Sequence, residues 1–218
     1  MAEQQKPDLA GDLMRIHRVV TRGLKVSLEN GKTYLETGFP NAPDQEGFYN
    51  YVKALTTLLH SHHSGEDVIA FPLVRVKIPT APVDHLCADH EKMKVHLDEI
   101  ERLMADSNPS LPPLVEQIEK LNEIWGQHIH LEETVLSVQN IHHMFQSYEE
   151  VDLTKQFVQH SMQLVGDRDS LVIPFILYNL TPEDRAVYAQ LLPPVVTQQL
   201  VPTTWKPRWS SMQPFLLN

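Results

Sequence analysis

Cysteine is almost missing from this 218-residue chain: Cys87 stands alone. That excludes an internal disulfide framework and any zinc site built from several cysteines, and it suits a reducing compartment. The start, Met1 to Asp8, has no apolar core of the kind a secretory leader carries. No stretch approaches the ~18 uninterrupted apolar residues of a membrane span. Together these absences point to the cytosol and away from a membrane. Basic residues are also short, 18 against 28 acids, for a formal charge of −10. An acidic surface repels phosphate backbones, which argues against nucleic acid as partner. There is no glycine-rich phosphate loop and no paired-cysteine motif. With 42% hydrophobic and 21% charged residues, the chain has the composition of a folded domain.

What the chain does have is histidine, 12 in all. Two short stretches repeat each other, His62-His63-Ser64-Gly65-Glu66-Asp67 and His128-Ile129-His130-Leu131-Glu132-Glu133. In each a His is followed four residues later by Glu and then by a second acid. On a helix, residues four apart lie one above the other, so each His–Glu pair reaches toward a single point.

The surrounding periodicity is helical. A first helix runs from Asp8 to Glu29 with the stripe Leu13, His17, Val20, Leu24, Leu28, and Asn30-Gly31 reads as its stop. A second begins near Asp44 and runs to Phe71, with Phe48, Tyr51, Leu55, Leu58, His62, Glu66 and Ile69 inward and Pro72 ending or bending it. Gly65 weakens that helix and suggests room for a neighbouring helix or a ligand. A third carries Val83, Leu86, His90, Met93, Leu97, Ile100 and Met104, the alternating three–four seam of a bundle helix. A fourth carries Leu114, Ile118, Leu121, Trp125, His128, Glu132 and Val135. The expected fold is therefore all-α, an antiparallel four-helix bundle over residues 8–140 with a helical extension over 141–218.

Each half of the bundle carries one core His on its first helix and a core His-x-x-x-Glu on its second. Any one of these residues taken alone is satisfied by an ordinary buried hydrogen bond. Four His and two Glu together are not, because two bare carboxylates inside a core are strongly destabilising. His17, His62, Glu66, His90, His128 and Glu132 therefore read as ligands of a metal pair, about 3.5–4 Å apart if carboxylates bridge it. Imidazole and carboxylate suit iron, manganese or zinc, and the absence of sulfur disfavours a purely structural zinc. With both Glu bridging, roughly four of the twelve positions around two octahedral ions stay open to solvent, dioxygen or substrate. Competing motifs fail. No Glu is followed three residues later by His, as ferritin-like di-iron sites require, and His90-Glu91 meets Lys94 where a zinc protease needs its second His.

The pattern resembles the hemerythrin-like, or HHE cation-binding, domain. That family has a core His on its first and third helices, His-His-x-x-Glu-Glu-x-x-x-Phe-Pro on its second and His-x-x-x-Glu on its fourth. His62 through Pro72 matches the second-helix signature with Asp67 in place of Glu. The resemblance covers about residues 8–140 and implies a non-haem di-iron centre with the same six ligands, serving dioxygen or peroxide chemistry, iron handling or sensing. Oxygen-carrying hemerythrins use two His four apart on the third helix, whereas here Leu86 and Lys94 flank His90 at that spacing. The missing ligand falls to solvent, His63 or His85. His63, His85 and His130 otherwise read as outer groups that orient ligands or move protons.

Beyond the bundle, His142 to Val165 reads as a fifth helix with Met144, Tyr148, Val151, Val158 and Met162 on one side. Leu171 to Tyr178 is too apolar for a solvated loop, Thr181-Pro182-Glu183-Asp184 starts a helix, and Pro193-Pro194 ends it. The tail either covers a bundle face, forms a dimer interface, or builds an apolar pocket over the metals with Tyr178, Trp205 and Trp209 as walls. Two functions are in view. One is dioxygen-dependent oxidation of a small apolar organic molecule at a di-iron (or manganese or mixed-metal) site. The other is storage or sensing of iron or dioxygen without turnover.

Overall fold

The structure, a computed structural model, describes residues 8–106 and 108–217. The start, read above as lacking a leader's apolar core, falls but for Asp8 on residues 1–7 and so lies outside the described residues. Four long helices form the bundle: α1 (Leu9–Thr37), α2 (Ala42–Gly65), then, after a short α3 (Phe71–Lys77), α4 (Val83–Met104) and α5 (Leu111–Val135). Among the described residues there is no strand. Helix α1 packs on α2 and α5, and α4 packs on the same two, so the four close a ring. Their short links make neighbours antiparallel.

Local chemistry sets the helix ends. Asp8 caps α1 by accepting the Gly11 N–H at 2.8 Å. Asn41 caps α2 by accepting the Asp44 N–H at 2.8 Å, with Pro43 in the first turn. The expected stop at Asn30-Gly31 is not used. Gly31 is buried where α1 meets α5, and a Cβ there would stand 2.7 Å from Val115 Cγ2. It serves close packing, and the helix ends instead at Gly38, whose φ of 73° suits glycine. Pro72, read as ending or bending the second helix, follows an interruption rather than a stop. The chain widens into a π-helical turn over Glu66–Ala70 and resumes as α3 with Pro72 in its first turn. An α-helical Pro72 would press its ring on the Val68 carbonyl, and the wider turn relieves that.

The seams of α4 and α5 are buried at the positions read from the sequence, apart from a half-buried Met104. Two apolar clusters result. The larger includes Val20, Leu24, Leu58, Met93, Leu97, Leu121 and Trp125; the smaller includes Leu13, Phe71, Val74, Leu86 and Val135. On every bundle helix the His and Glu positions fall between the two.

The tail differs from expectation in its first helix. Instead of one helix there are two, α6 (Val138–Met144) and α7 (Ser147–Val165), parted at Phe145-Gln146, where Gln146 and Glu149 form a reciprocal cap. The face is different too. Tyr148 and Val151 are 70% and 53% exposed, while Leu153 and Val165 are buried and Phe157 packs inward. Steps of four from Leu153 through Phe157 and Ser161 to Val165 mark the inner face. Phe157 lies over Gly65, whose added Cβ would stand 3.0 Å from two ring carbons. Helix α8 (Asp169–Asn179), apolar all round, is buried against α1 and α2. Helix α9 (Pro182–Tyr188) starts at Thr181, whose hydroxyl accepts the Asp184 N–H. The last segment, through α10 (Lys206–Trp209), returns to the start of α2, where Phe215 sits 6.0 Å from Phe48 and 5.8 Å from Tyr51. Arg22 fastens the join by donating to Tyr51 Oη, Asn179 Oδ1 and the Phe215 carbonyl.

Candidate metal centre

His17 and His90 lie near the starts of α1 and α4, and His62 and His128 near the ends of α2 and α5. In an antiparallel ring those positions share one level, so the six residues read from the sequence meet. All six are between 0 and 5% exposed. His17 Nε2 lies 3.5 Å from Glu132 Oε1 and 3.8 Å from Glu66 Oε1, and His62 Nε2 lies 3.1 Å from Glu66 Oε1. On the other side, His90 Nε2 lies 3.6 Å from Glu66 Oε2, and His128 Nε2 lies 2.9 Å from Glu132 Oε2. Each carboxylate thus offers one oxygen to each side.

A seventh residue joins them. His63 is 5% exposed, stacks on His90 at 4.0 Å, and groups with His90 and His128 so that their donor atoms lie within 4.8 Å of one another. His17, His62, Glu66 and Glu132 form a second group within the same limit. His63, open in the sequence either as an outer group or as the replacement for the missing ligand, falls off the α2 stripe. The signal was present all the same, since Glu66 lies three residues from His63 and four from His62, and both spacings share a helix face. His130 is exposed. His85, with a side chain 62% exposed, reaches only Asp89, at 3.5 Å.

The second acid of each repeat holds a histidine of the opposite half. Asp67 Oδ1 meets His90 Nδ1 at 2.9 Å, and Glu133 Oε1 meets His17 Nδ1 at 3.2 Å. A carboxylate on Nδ1 fixes the ring and aims Nε2 inward, the usual support of a metal-binding imidazole. The π-helical turn at Glu66–Ala70 is what carries Asp67 round to α4. Aromatic rings close the centre: Trp125 lies 6.0–6.2 Å from His17, His63 and His128, and Phe71 stacks on His90 at 5.3 Å.

Protein groups alone do not satisfy this cluster. The Nε2 atoms of His17, His62 and His63 and both oxygens of Glu66 and Glu132 are buried without a hydrogen-bond partner. Each such atom costs about 1–3 kcal/mol. Burial pushes the Glu66 carboxyl well up, and the neighbouring Glu132 charge adds to this. Burial opposes charge on His17 as well, but Glu132, Glu133 and Glu66 outweigh it and hold that imidazole well above its usual range. Burial, then the surrounding imidazoles, holds His62 and His63 well below theirs, so both are neutral and able to ligate. Imidazole nitrogens and carboxylate oxygens that converge without partners fit borderline cations such as iron, manganese or zinc.

An apolar cavity of about 100 Å³ adjoins the centre, with His62 on its wall beside Leu13, Ile16 and Leu58 of the bundle and Phe157, Val165 and Ile173 of the tail. Tyr178, Trp205 and Trp209 do not line it. Tyr178 and Trp209 stack at 4.8 Å along a separate surface recess with Arg185 and Leu217. The segment that carries Trp209 folds on the Gly47–Tyr51 end of α2, some eleven residues, or about 16 Å of helix, before His62.

The hemerythrin HHE cation-binding domain matches the chain over residues 9–137, a span that holds all seven residues of the cluster. No curated protein and no solved structure matches. Among the described residues no helix is long and apolar enough to cross a membrane. The chain belongs to the hemerythrin HHE cation-binding family, and binding a metal cation is the property this membership brings to the buried His/Glu cluster.

Proposed function

We propose that the cluster binds two iron ions and supports dioxygen-dependent oxidation of a small apolar molecule. The observation that carries the two-metal reading is the division of the donors. His17 and His62 take one position and His63, His90 and His128 the other, with Glu66 and Glu132 each giving an oxygen to both. His63 then supplies the fifth imidazole that the α4 sequence lacks beside His90. Bound there, an iron pair supplies the redox equivalents for reducing dioxygen. The protein's part is to hold and shield. Asp67 and Glu133 keep the rings of His90 and His17 aimed, and Trp125 and Phe71 exclude bulk water. The cavity against His62 gives an oxidisable molecule a place to lie, which favours turnover over storage. We place the protein in the cytosol, which its single unpaired thiol suits.

The test is metal analysis of protein expressed with iron, followed by absorption spectra under nitrogen and then air. About two irons per chain and near-ultraviolet bands of a ferric pair that develop with air are expected. A folded protein holding one iron or none would overturn the two-metal reading. Storage or sensing, the second reading, is supported by the burial of every donor. It predicts that oxidation by air stops after one equivalent whatever organic molecule is added.

A further inference from the structure

The cavity beside His62 has an almost wholly apolar wall, and two of its hydroxyls are committed. The Ser61 hydroxyl donates to the Leu58 carbonyl at 2.8 Å, and the Thr154 hydroxyl donates to the Glu150 carbonyl at 2.9 Å. Asp12, five residues before His17 on α1, is the one acidic residue of the wall. It is 7% exposed and lines the cavity. Its Oδ1 accepts from Arg15 Nη1 at 2.7 Å, while its Oδ2 is buried with no partner. An uncommitted acceptor in an apolar wall is costly unless a ligand meets it.

Charge decides what kind of ligand. Arg15 also contacts Asp184 Oδ1 at 3.1 Å, and Arg18 contacts Asp184 Oδ2 at 3.0 Å. Of Asp12, Arg15, Arg18 and Asp184 only Asp12 lines the cavity, and its charge is already partnered by Arg15, which weakens its pull on an ammonium. What remains unmet is one buried acceptor, Asp12 Oδ2, which a neutral hydrogen-bond donor can meet. The space, about 100 Å³, is of the order of the ~150 Å³ apolar cavities that take up benzene.

We infer that this cavity binds a small, neutral, apolar molecule carrying one hydroxyl, a phenol or short alcohol, with the hydroxyl donating to Asp12 Oδ2 and the hydrocarbon body against His62, Phe157 and Ile173. As the substrate class of the oxidation this inference rests on the metal reading; as a binding site it does not. Burial, with the Asp12 charge adding to it, holds the phenol of Tyr188 on the same wall protonated. A bound hydroxyl would lie in the same field.

The test compares p-cresol with toluene, equal in shape but for the hydroxyl, by calorimetry on iron-loaded protein whose metal content is measured separately. One p-cresol per chain is expected, bound about tenfold more tightly than toluene, as one hydrogen bond to a charged acceptor gives. Asp12→Ala should erase that difference and leave toluene binding in place. Ser161→Trp, at a half-buried wall position, should abolish both and covers the case in which Asp12→Ala does not fold. Equal binding of the two probes, binding that survives Ser161→Trp, or no binding at full metal content would each overturn the inference. Low iron content with normal p-cresol binding would instead count against the metal reading and leave this site standing.

Discussion

At the residue scale the cluster is a set of atoms with protons in the wrong place for a metal. Without metal, His17 holds its proton well above the usual imidazole range and Glu66 well above the usual carboxyl range. A cation must displace both, so binding releases protons near pH 7 and weakens as pH falls. Titrating ferrous or zinc ions in two buffers of different ionisation enthalpy should give different apparent heats; identical heats would contradict this proton inventory. His63→Ala should lower affinity for one metal of the pair by more than the ~10–100-fold typical of losing a supporting partner, while His85→Ala should leave it unchanged. Equal effects of the two would remove His63 from the donor set. Asp12 makes a separate pH prediction. Burial raises its carboxyl to about 6 despite Arg15, so folding favours its protonated form. The benefit is full below about 3.8, its unfolded value, and is lost as pH rises through about 6. Asp12→Asn should flatten the stability profile across that window, as urea midpoints at successive pH values would show.

At the element scale, what the sequence made legible followed from periodicity. The seams of α4 and α5 are undisturbed three–four repeats facing one core, and His90, His128 and Glu132 are buried on them where the repeat puts them. The same holds for His17 and for His62 with Glu66 on their stripes, and a buried polar residue inside an apolar stripe has few explanations. Helix ends were harder to read, since packing overrides the local stop signal at Gly31 and a wider π-helical turn accommodates the one at Pro72. The stripe alone does not decide between the two roles open to His63, because it describes one face, whereas α2 is covered by α1 and α4 and, from behind, by α7 and the returning tail. That second covering rests on glycines, and it can be tested. A Cβ on Gly47 would collide with the Ser211 carbonyl, a backbone group that cannot step aside. Gly47→Ala should therefore loosen the returning segment and cost about 1–3 kcal/mol. Limited proteolysis should then cut within 196–217 while metal content holds; an intact tail would show that the segment shifts freely.

At the scale of the whole molecule, the polar layer is a fault plane between two apolar cores that metal turns into a fastening. Four imidazole nitrogens and four carboxylate oxygens lie there unpartnered, and helices from both halves of the bundle converge on them. Without metal, hydrophobic burial on either side must hold them together against their own desolvation. A ligand bound only by the folded state, at a thousand times its Kd, adds about 4 kcal/mol, or roughly 8–16 °C in Tm for a chain of this size. Chelation should therefore lower Tm on that scale. The double variant Glu66→Gln, Glu132→Gln separates the two contributions, since it removes the buried charges along with the ability to bridge. Its melt should be indifferent to metal and should lie above that of chelated wild type, because neutral amides cost less to bury than carboxylates. If the variant instead melts below the chelated protein, the carboxylates stabilise the empty bundle by pairing with His17 and His128, and the layer would be a structural ion-pair network that metal merely replaces.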